Sequence, residues 1–436
     1  MLSIKNIRRY SALLLAFSTV FVLCSCFNAS VRTDTEARDT GGTAFVTETD
    51  VITETEKDDG VFNIYEEYYV DPSDVRITSK GKTKNLILIY LESMETTYAS
   101  LEDGGKQTDG KNYIPNLTAL AKENISFSDK SDGKIGGFKP IEGIKWTIAS
   151  LMATSSGLPF RFPVDSNDMS KYPYFAPNIT TLGDILFEKG YVNEFLCGSD
   201  AKFGGRYNYF TQHGDYEIFD LFTARKQGYI PENYKVWWGY EDTILYDIAK
   251  DEVTRLASGS RPFNFTMLTV DTHHVGGYVC NECNTSLYGT ENEAKTKTVL
   301  ECSERQLMDF LNWCKEQSWY EDTVIVIMGD HPRMDSNLIN GTAYRDRTMF
   351  NCIINSDTVP VIGSTEKRRF TAIDMFPTTL AAMGFEIEGD RLGLGVNMFS
   401  GKKTLAEERG YFSLNSEFAK KEQYQEYYNQ LTGFNY

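Results

Sequence analysis

Asn85 to Leu91 reads NLILIYL and runs directly into Glu92. Thr323 to Met328 reads TVIVIM and runs into Gly329-Asp330-His331. Neither run alternates polar with apolar residues, and both are rich in branched side chains, the pattern of a strand buried on both faces. Val192 to Cys197 and Phe263 to Val270 (FNFTMLTV) read the same way, the first leading to Gly198-Ser199-Asp200 and the second to Asp271-Thr272-His273-His274. Helical patterns separate these runs, which predicts an α/β fold with a largely parallel sheet covered on both sides. In open sheets of this kind ligands collect beyond the carboxyl ends of the strands. Four apolar runs ending in metal-capable side chains therefore place a site there. The chain has four histidines, and three of them, His273, His274 and His331, directly follow a predicted strand.

Outward from these runs, Trp146-Thr147-Ile148-Ala149-Ser150-Leu151 opens an apolar helix after a loop rich in glycine and lysine. Thr147 falls near the amino end, where free backbone N–H groups and the helix dipole favour an anion. Read alone, Thr147 is better explained as the helix cap, and it is the rest of the constellation that reverses this. The ends of the chain have a different character. Met1 to Tyr10 carries Lys5, Arg8 and Arg9, and Ser11 to Leu23 is an apolar run of about a dozen residues, the size of a signal-peptide core. It ends at Leu23-Cys24-Ser25-Cys26, which resembles a bacterial lipobox and implies cleavage before Cys26 and lipid attachment to its sulfur. An uncleaved anchor or an ordinary secretory signal would equally place the remainder outside the cytoplasm. From Asn28 to about Gly60 the composition is Thr, Asp, Glu and Gly, expected as a flexible tether.

Acidic residues outnumber basic ones by 61 to 44, for a net charge of -17. That excludes nucleic acid as the expected partner and requires any phosphate site to be locally positive. Cys280 and Cys283 form a C-x-x-C, with Cys302 further on. Outside the cytoplasm the first expectation is a disulfide from Cys302 to one of the other two. A zinc knuckle is the alternative, without an evident fourth ligand. Cys197, Cys314 and Cys352 are expected as buried thiols.

Ile89-Tyr90-Leu91-Glu92-Ser93, Pro115-Asn116-Leu117, Trp146-Thr147-Ile148-Ala149, Asp271-Thr272-His273-His274 and Gly329-Asp330-His331 occur in that order. This series resembles the sulfatase-like phosphoglycerol transferases, the group of lipoteichoic acid synthase and the membrane-derived-oligosaccharide enzyme, from about Asn85 to about Ser400. The resemblance implies an alkaline-phosphatase-type α/β/α sandwich with a mostly parallel central sheet. It implies one divalent metal, manganese or magnesium before zinc, held by Glu92, Thr147, Asp330 and His331, with Thr147 also the nucleophile. It implies substrate contacts from His273, with His274 beside it, and from Arg206 in Phe203-Gly204-Gly205-Arg206, where Gly204 replaces a tryptophan of the family motif. The implied donor is a phosphatidylglycerol-type headgroup or glycerol-phosphate polymer, and the acceptor a glycan or glycolipid at the outer face of the cell membrane. The expected organisation is a signal over 1–25, an anchored tether and lead-in over 26–80, a catalytic domain over 81–400 and a peripheral segment over 401–436.

The chemistry suits these residue types. A threonine hydroxyl is a weak nucleophile until a divalent cation stabilises its alkoxide, and two carboxylates, a hydroxyl and an imidazole form a hard donor set. The Thr147 neighbourhood lacks the Cys/Ser-x-Pro-x-Arg pattern of a true sulfatase. Family transferases carry several membrane-spanning helices ahead of the catalytic domain, so the single anchor expected here keeps simple phosphodiester hydrolysis open. A non-catalytic envelope-glycan binder using Tyr207, Tyr209, Trp237 and Trp238 is the contrasting reading.

Overall fold

The four apolar runs are neighbours in one sheet. The structure is a computed structural model that describes residues 62–435 except 80, 82, 83 and 166; the expected signal, Cys26 and the tether lie outside the described residues. The strands of three or more residues are β1 (Ile77–Ser79), β2 (Asn85–Leu91), β3 (Val192–Cys197), β4 (Glu217–Phe219), β5 (Phe263–Leu268), β6 (Thr323–Gly329), β7 (Asn351–Ile354) and β8 (Phe385–Ile387). Six form a sheet in the order β4-β3-β5-β2-β6-β7, parallel throughout except for β7, which runs antiparallel to β6. Strand β5 stops at Leu268, two residues short of the apolar run, because the Val270 N–H turns to the Asp242 carboxylate at 2.8 Å.

Successive side chains of the central strands enter two cores. Leu86, Leu88 and Tyr90 of β2, with Val324 and Val326 of β6, pack beneath the helices Thr147–Ser156, Leu182–Glu188 and Met375–Ala382. Ile87, Ile89 and Leu91, with Ile325 and Ile327, pack beneath Pro115–Glu123, Asp242–Ala257 and Asn292–Lys315. Burial on both faces explains why these strands read as continuous apolar runs.

The lead-in and the carboxyl-terminal segment belong to the first core. Strand β1 pairs antiparallel with β8. Tyr65 packs on Tyr428 with ring centroids 5.3 Å apart, and Tyr428 packs on Phe162 at the same distance. The expected boundaries at 80/81 and 400/401 thus mark no edge of packing: residues 401–436, expected as peripheral, bury Tyr424 and Tyr428 from one face of the helix Lys421–Thr432. Polar residues between those tyrosines disguise the stripe in sequence.

A buried ion pair ties the loops at the strand ends together. Arg347 Nε donates to Glu95 Oε2 at 2.8 Å, its Nη2 bonds Glu95 Oε1, and the Arg333 N–H donates to the same carboxylate at 2.9 Å. Both side chains are almost wholly buried. Replacing Arg347 with methionine leaves an uncompensated interior carboxylate, with an expected loss of about 3–5 kcal/mol, read as a lower urea midpoint; an unchanged midpoint would refute the assignment.

Candidate active site

Strand β2 delivers Glu92 by a sharp exit. Ser93 has φ 52, a left-handed conformation that costs a non-glycine residue free energy and needs surrounding contacts to hold it. Those contacts are present: the Ser93 N–H donates to Asp330 Oδ1 at 2.7 Å, and its hydroxyl donates to Glu92 Oε1 at 2.7 Å. Strand β6 brings Asp330 and His331 alongside. Gly329 is required there, because a Cβ would stand 1.8 Å from the Met94 carbonyl oxygen.

Asp330 Oδ1 accepts from the Ser93 and His331 N–H groups, both at 2.7 Å, while Oδ2 is buried without a hydrogen-bond partner. His331 Nδ1 lies 3.0 Å from the Pro332 carbonyl, which fixes the ring proton there and turns the Nε2 lone pair toward the carboxylates. Nε2 stands 3.5 Å from Glu92 Oε1 and 3.4 Å from Asp330 Oδ2. All three side chains are buried and close enough to share one cation. The orphaned Oδ2 and the inward lone pair fit a hard divalent ion.

Thr147 joins the group from a helix. It is the first residue of the helix Thr147–Ser156, whose cap position is Trp146 with no side-chain capping bond. The Thr147 hydroxyl instead lies 3.3 Å from Glu92 Oε2 and 3.4 Å from His331 Nε2. Ser150, one turn on, bonds the Asp330 carbonyl and locks the helix to the end of β6.

The Asp-Thr-His-His stretch divides its labour. Asp271 and Asp242 hold one another's backbone: the Asp242 N–H donates to Asp271 Oδ2 at 3.2 Å and the Asp271 N–H to Asp242 Oδ2 at 3.0 Å. Thr272 donates to the Glu92 carbonyl at 2.5 Å. His273 reaches the cavity, its Nδ1 2.7 Å from the His274 carbonyl. His274 stacks beneath it with centroids 4.2 Å apart, its own protonation held down by burial and by His273. His213, the remaining histidine, is a core residue between Asp184 and the Phe175 carbonyl.

Glu92, Thr147 and His273 line the floor of a cavity of about 530 Å³. Its wall includes Arg206, Ser199 and Trp238, with Lys202 and Lys235 contributing positive charge. Arg206 is buried and donates to the Ser199 hydroxyl at 3.0 Å and the Asp200 carbonyl at 2.7 Å, so it shapes the wall as well as lining it. Lys202 and Lys235 escaped sequence reasoning: Lys202 stands between the Gly198-Ser199-Asp200 and Phe203–Arg206 motifs, whereas nothing local marks Lys235. Of the aromatic candidates Trp238 lines the cavity and Tyr209 is buried in the core. Arg333, two residues after His331, is spent on Asp335 and the Thr272 carbonyl and is not free to meet a phosphate.

Electrostatically the buried cluster is in conflict. Burial and the Glu92 carboxylate push Asp330 up to about 7. For His331, burial disfavours the imidazolium, but Asp330 and Glu92 outweigh it and raise its pKa. A divalent cation resolves both at once.

The expected disulfide is absent. Cys280, Cys283 and Cys302 are free thiols, with the Cys280 sulfur 3.6 Å from that of Cys283 and 3.7 Å from that of Cys302. Both partners approach Cys280 equally, so the sequence offered no unique pair. Cys197, Cys314 and Cys352 are buried thiols, as expected.

Residues 84–385 match the sulfatase family model. Phosphoglycerol transferase I of Xanthomonas axonopodis pv. citri is 29% identical over 311 residues, covering 70% of this chain and 42% of that protein. The chain thus spans about two fifths of the length of the curated relatives it matches. Among solved structures, the lipoteichoic acid synthase LtaP from Listeria monocytogenes superposes with a TM-score of 0.57 at 17% identity, covering 75% of this chain and 79% of that one. A protein of the alkaline phosphatase superfamily from Vibrio parahaemolyticus gives 0.54 at 22% identity, over 76% and 74%. These two likenesses establish the fold: the expected alkaline-phosphatase-type sandwich with a mostly parallel sheet.

Proposed function

Because the chain belongs to the sulfatase family, we propose that it is a metal-dependent phosphoglycerol transferase, moving the phosphoglyceryl group of a phosphatidylglycerol-type lipid or polyglycerol phosphodiester through an ester on Thr147. The observation that carries this is the placement of the Thr147 hydroxyl, 3.3 Å from Glu92 Oε2 and 3.4 Å from His331 Nε2 on a cavity floor, where capping the helix would have turned it away. Glu92, Thr147, Asp330 and His331 would hold one manganese or magnesium ion. Bound there, such an ion supplies Lewis acidity toward the nucleophile and the phosphoryl oxygens.

The chain's own residues do the remainder. The Thr147 oxygen attacks phosphorus while its proton passes to Glu92 Oε2. Free N–H groups of the first helical turn, with Lys202, Lys235 and Arg206, offset the charge of the phosphodiester in a protein that is acidic overall. His273, whose Nδ1 lies 3.2 Å from the Trp238 indole nitrogen and 2.7 Å from the His274 carbonyl, serves as the general acid that donates from Nε2 to the departing alkoxide. An acceptor hydroxyl then attacks the phosphothreonine ester and gives its proton to His273, while the bond from phosphorus to the Thr147 oxygen breaks and Glu92 Oε2 returns its proton to that oxygen.

Cys26 and the acidic stretch after it support a lipid-tethered enzyme at the outer face of the bacterial membrane, with the lipid headgroup as donor and an envelope glycan or glycolipid as acceptor. The catalytic unit proposed is 81–400, carried on the lead-in and tail that pack with it. No helix among the described residues is long and apolar enough to cross a membrane. Incubating the full chain with phosphatidylglycerol and manganese, without acceptor, is expected to leave a phosphoglyceryl mark on the Thr147 peptide by mass spectrometry. A mark on any other residue, or headgroup release that never marks the protein, would overturn the Thr147 ester.

A further inference from the structure

Among the described residues, a second cluster of metal-type donors lies outside the cavity. Cys280 and Cys283 flank a turn in the loop that leaves the two histidines, the Cys283 N–H donating to the Cys280 carbonyl at 3.2 Å. Cys302 faces them from the helix Asn292–Lys315. The sulfur separations of 3.6 and 3.7 Å are far beyond a covalent bond of about 2.05 Å. Around a tetrahedral ion with metal–sulfur bonds of about 2.3 Å, neighbouring thiolates stand about 3.8 Å apart. Two edges of the triangle are therefore nearly those of one face of a thiolate–zinc tetrahedron, and all three sulfurs lie within 4.8 Å of one another.

The surroundings suit charged sulfur. Arg305 Nη2 donates to Cys302 Sγ at 3.5 Å. The Thr243 hydroxyl lies 3.6 Å from Cys280 Sγ. Gln306, one helical turn beyond Cys302, places its amide nitrogen 3.6 Å from Cys280 Sγ; the side chain is 5% exposed, and its Oε1 has no hydrogen-bond partner. The same nitrogen donates to the Thr243 hydroxyl at 2.8 Å; a flip of the amide would bring the unsatisfied oxygen to that position beside Cys280 Sγ, where the Thr243 hydroxyl can donate to it.

We propose that Cys280, Cys283 and Cys302 bind one zinc-class ion as thiolates, with the Gln306 side-chain oxygen in the fourth position. Binding forms three metal–sulfur bonds and one metal–oxygen bond, releases the three thiol protons to solvent and transfers no electrons. Three thiolates around a divalent ion leave one negative charge, beside which Arg305 stands while also pairing with Glu301 and Glu282. The donor set is the opposite of the one at Thr147: three sulfurs select a softer ion than carboxylate, hydroxyl and imidazole do. One chain would thus hold two different metals without exchanging them.

The ion would fasten the histidine loop to the helix Asn292–Lys315. That loop is otherwise held by the Tyr278 N–H on the Asp271 carbonyl at 2.7 Å and the Gly276 N–H on Asp335 Oδ2 at 2.9 Å. Positioning His273 is the part of the inference that rests on the proposed reaction; metal binding itself does not.

Elemental mass spectrometry of the desalted full chain, produced with zinc supplied, tests the site. About one zinc per chain is expected in the wild type and in Asp330→Asn, and almost none in Cys302→Ser. Where Cys302→Ser fails to fold, Cys283→Ser, at a half-buried turn position, is expected to lose the zinc as well. Cobalt(II) in place of zinc should give thiolate charge-transfer absorption in the wild type and in Asp330→Asn alone. A non-reduced peptide map joining Cys302 to Cys280 or Cys283 in zinc-free protein would overturn the proposal, as would zinc that persists in both cysteine variants. Zinc lost in Asp330→Asn would assign the ion to the reaction centre instead.

Discussion

Replacing Thr147 with alanine is expected to lower phosphoglycerol headgroup release by at least about 10⁴-fold, because losing the nucleophile of a covalent mechanism removes the pathway and leaves only background chemistry. Stability separates this role from the structural one. If Thr147 were the helix cap, its removal would cost about 1 kcal/mol. The cap is instead Trp146, and the Thr147 hydroxyl lies against Glu92 and His331. Alanine is the better helix former by about half a kcal/mol, so the unfolding midpoint should hold or rise slightly. Thr147→Ser keeps an oxygen at the same place and should retain measurable turnover and the covalent mark. Thr147→Ala with near-normal release would remove the basis for the proposed reaction, whatever its stability.

The parts of this molecule legible in its sequence are those where one strand governs both packing and chemistry. NLILIYL-Glu92 and TVIVIM-Gly329-Asp330-His331 announce a doubly buried strand and, at its carboxyl end, a ligand. Adjacent parallel strands bring such ends together, so β2 beside β6 sufficed to join Glu92 to Asp330 and His331. Thr147 was legible as a helix start, but not the direction of its hydroxyl, which depends on Ser150 reaching the Asp330 carbonyl. Asp271 was legible as a motif residue and not as one half of the reciprocal contact with Asp242, because its partner lies on a helix that no local signal links to it. The fate of the cysteines was hidden for a related reason. Spacing can suggest a pair or a knuckle, but only the facing helix shows that three sulfurs converge and that Gln306 stands beside them. The tail misled through composition: tyrosines at 424 and 428 lie four apart among polar residues, and their burial depends on Tyr65 and Phe162 arriving from distant chain.

Asp330→Asn is expected to abolish manganese-dependent stabilisation and to lower headgroup release by at least about 10³-fold, since it removes one of the two carboxylates that make the cluster a cation site. Its Oδ1 side is engaged by two backbone N–H groups, which an asparagine oxygen can still accept, so the fold should survive. What disappears is the charge on Oδ2, the buried atom with no hydrogen-bond partner. For wild-type protein, manganese at a hundred times its dissociation constant should add about 2.7 kcal/mol by mass action; for the variant the gain should vanish. The metal-free proteins should differ in their pH response. Asp330 is raised from 3.8 to about 7, by burial and then by Glu92, so its protonated form is the one the fold tolerates. Stability is greatest below 3.8 and is lost as pH climbs through about 7; His331, also raised, acts in the same direction. Asparagine cannot ionise, so metal-free Asp330→Asn should lose less stability over that window and exceed the metal-free wild type at neutral pH. Manganese should reverse the order, because it favours the ionised carboxylate that burial penalises. Equal manganese stabilisation in the two proteins, measured by urea unfolding at neutral pH, would mean that the ion sits elsewhere and that Glu92, Asp330 and His331 meet for structural reasons alone.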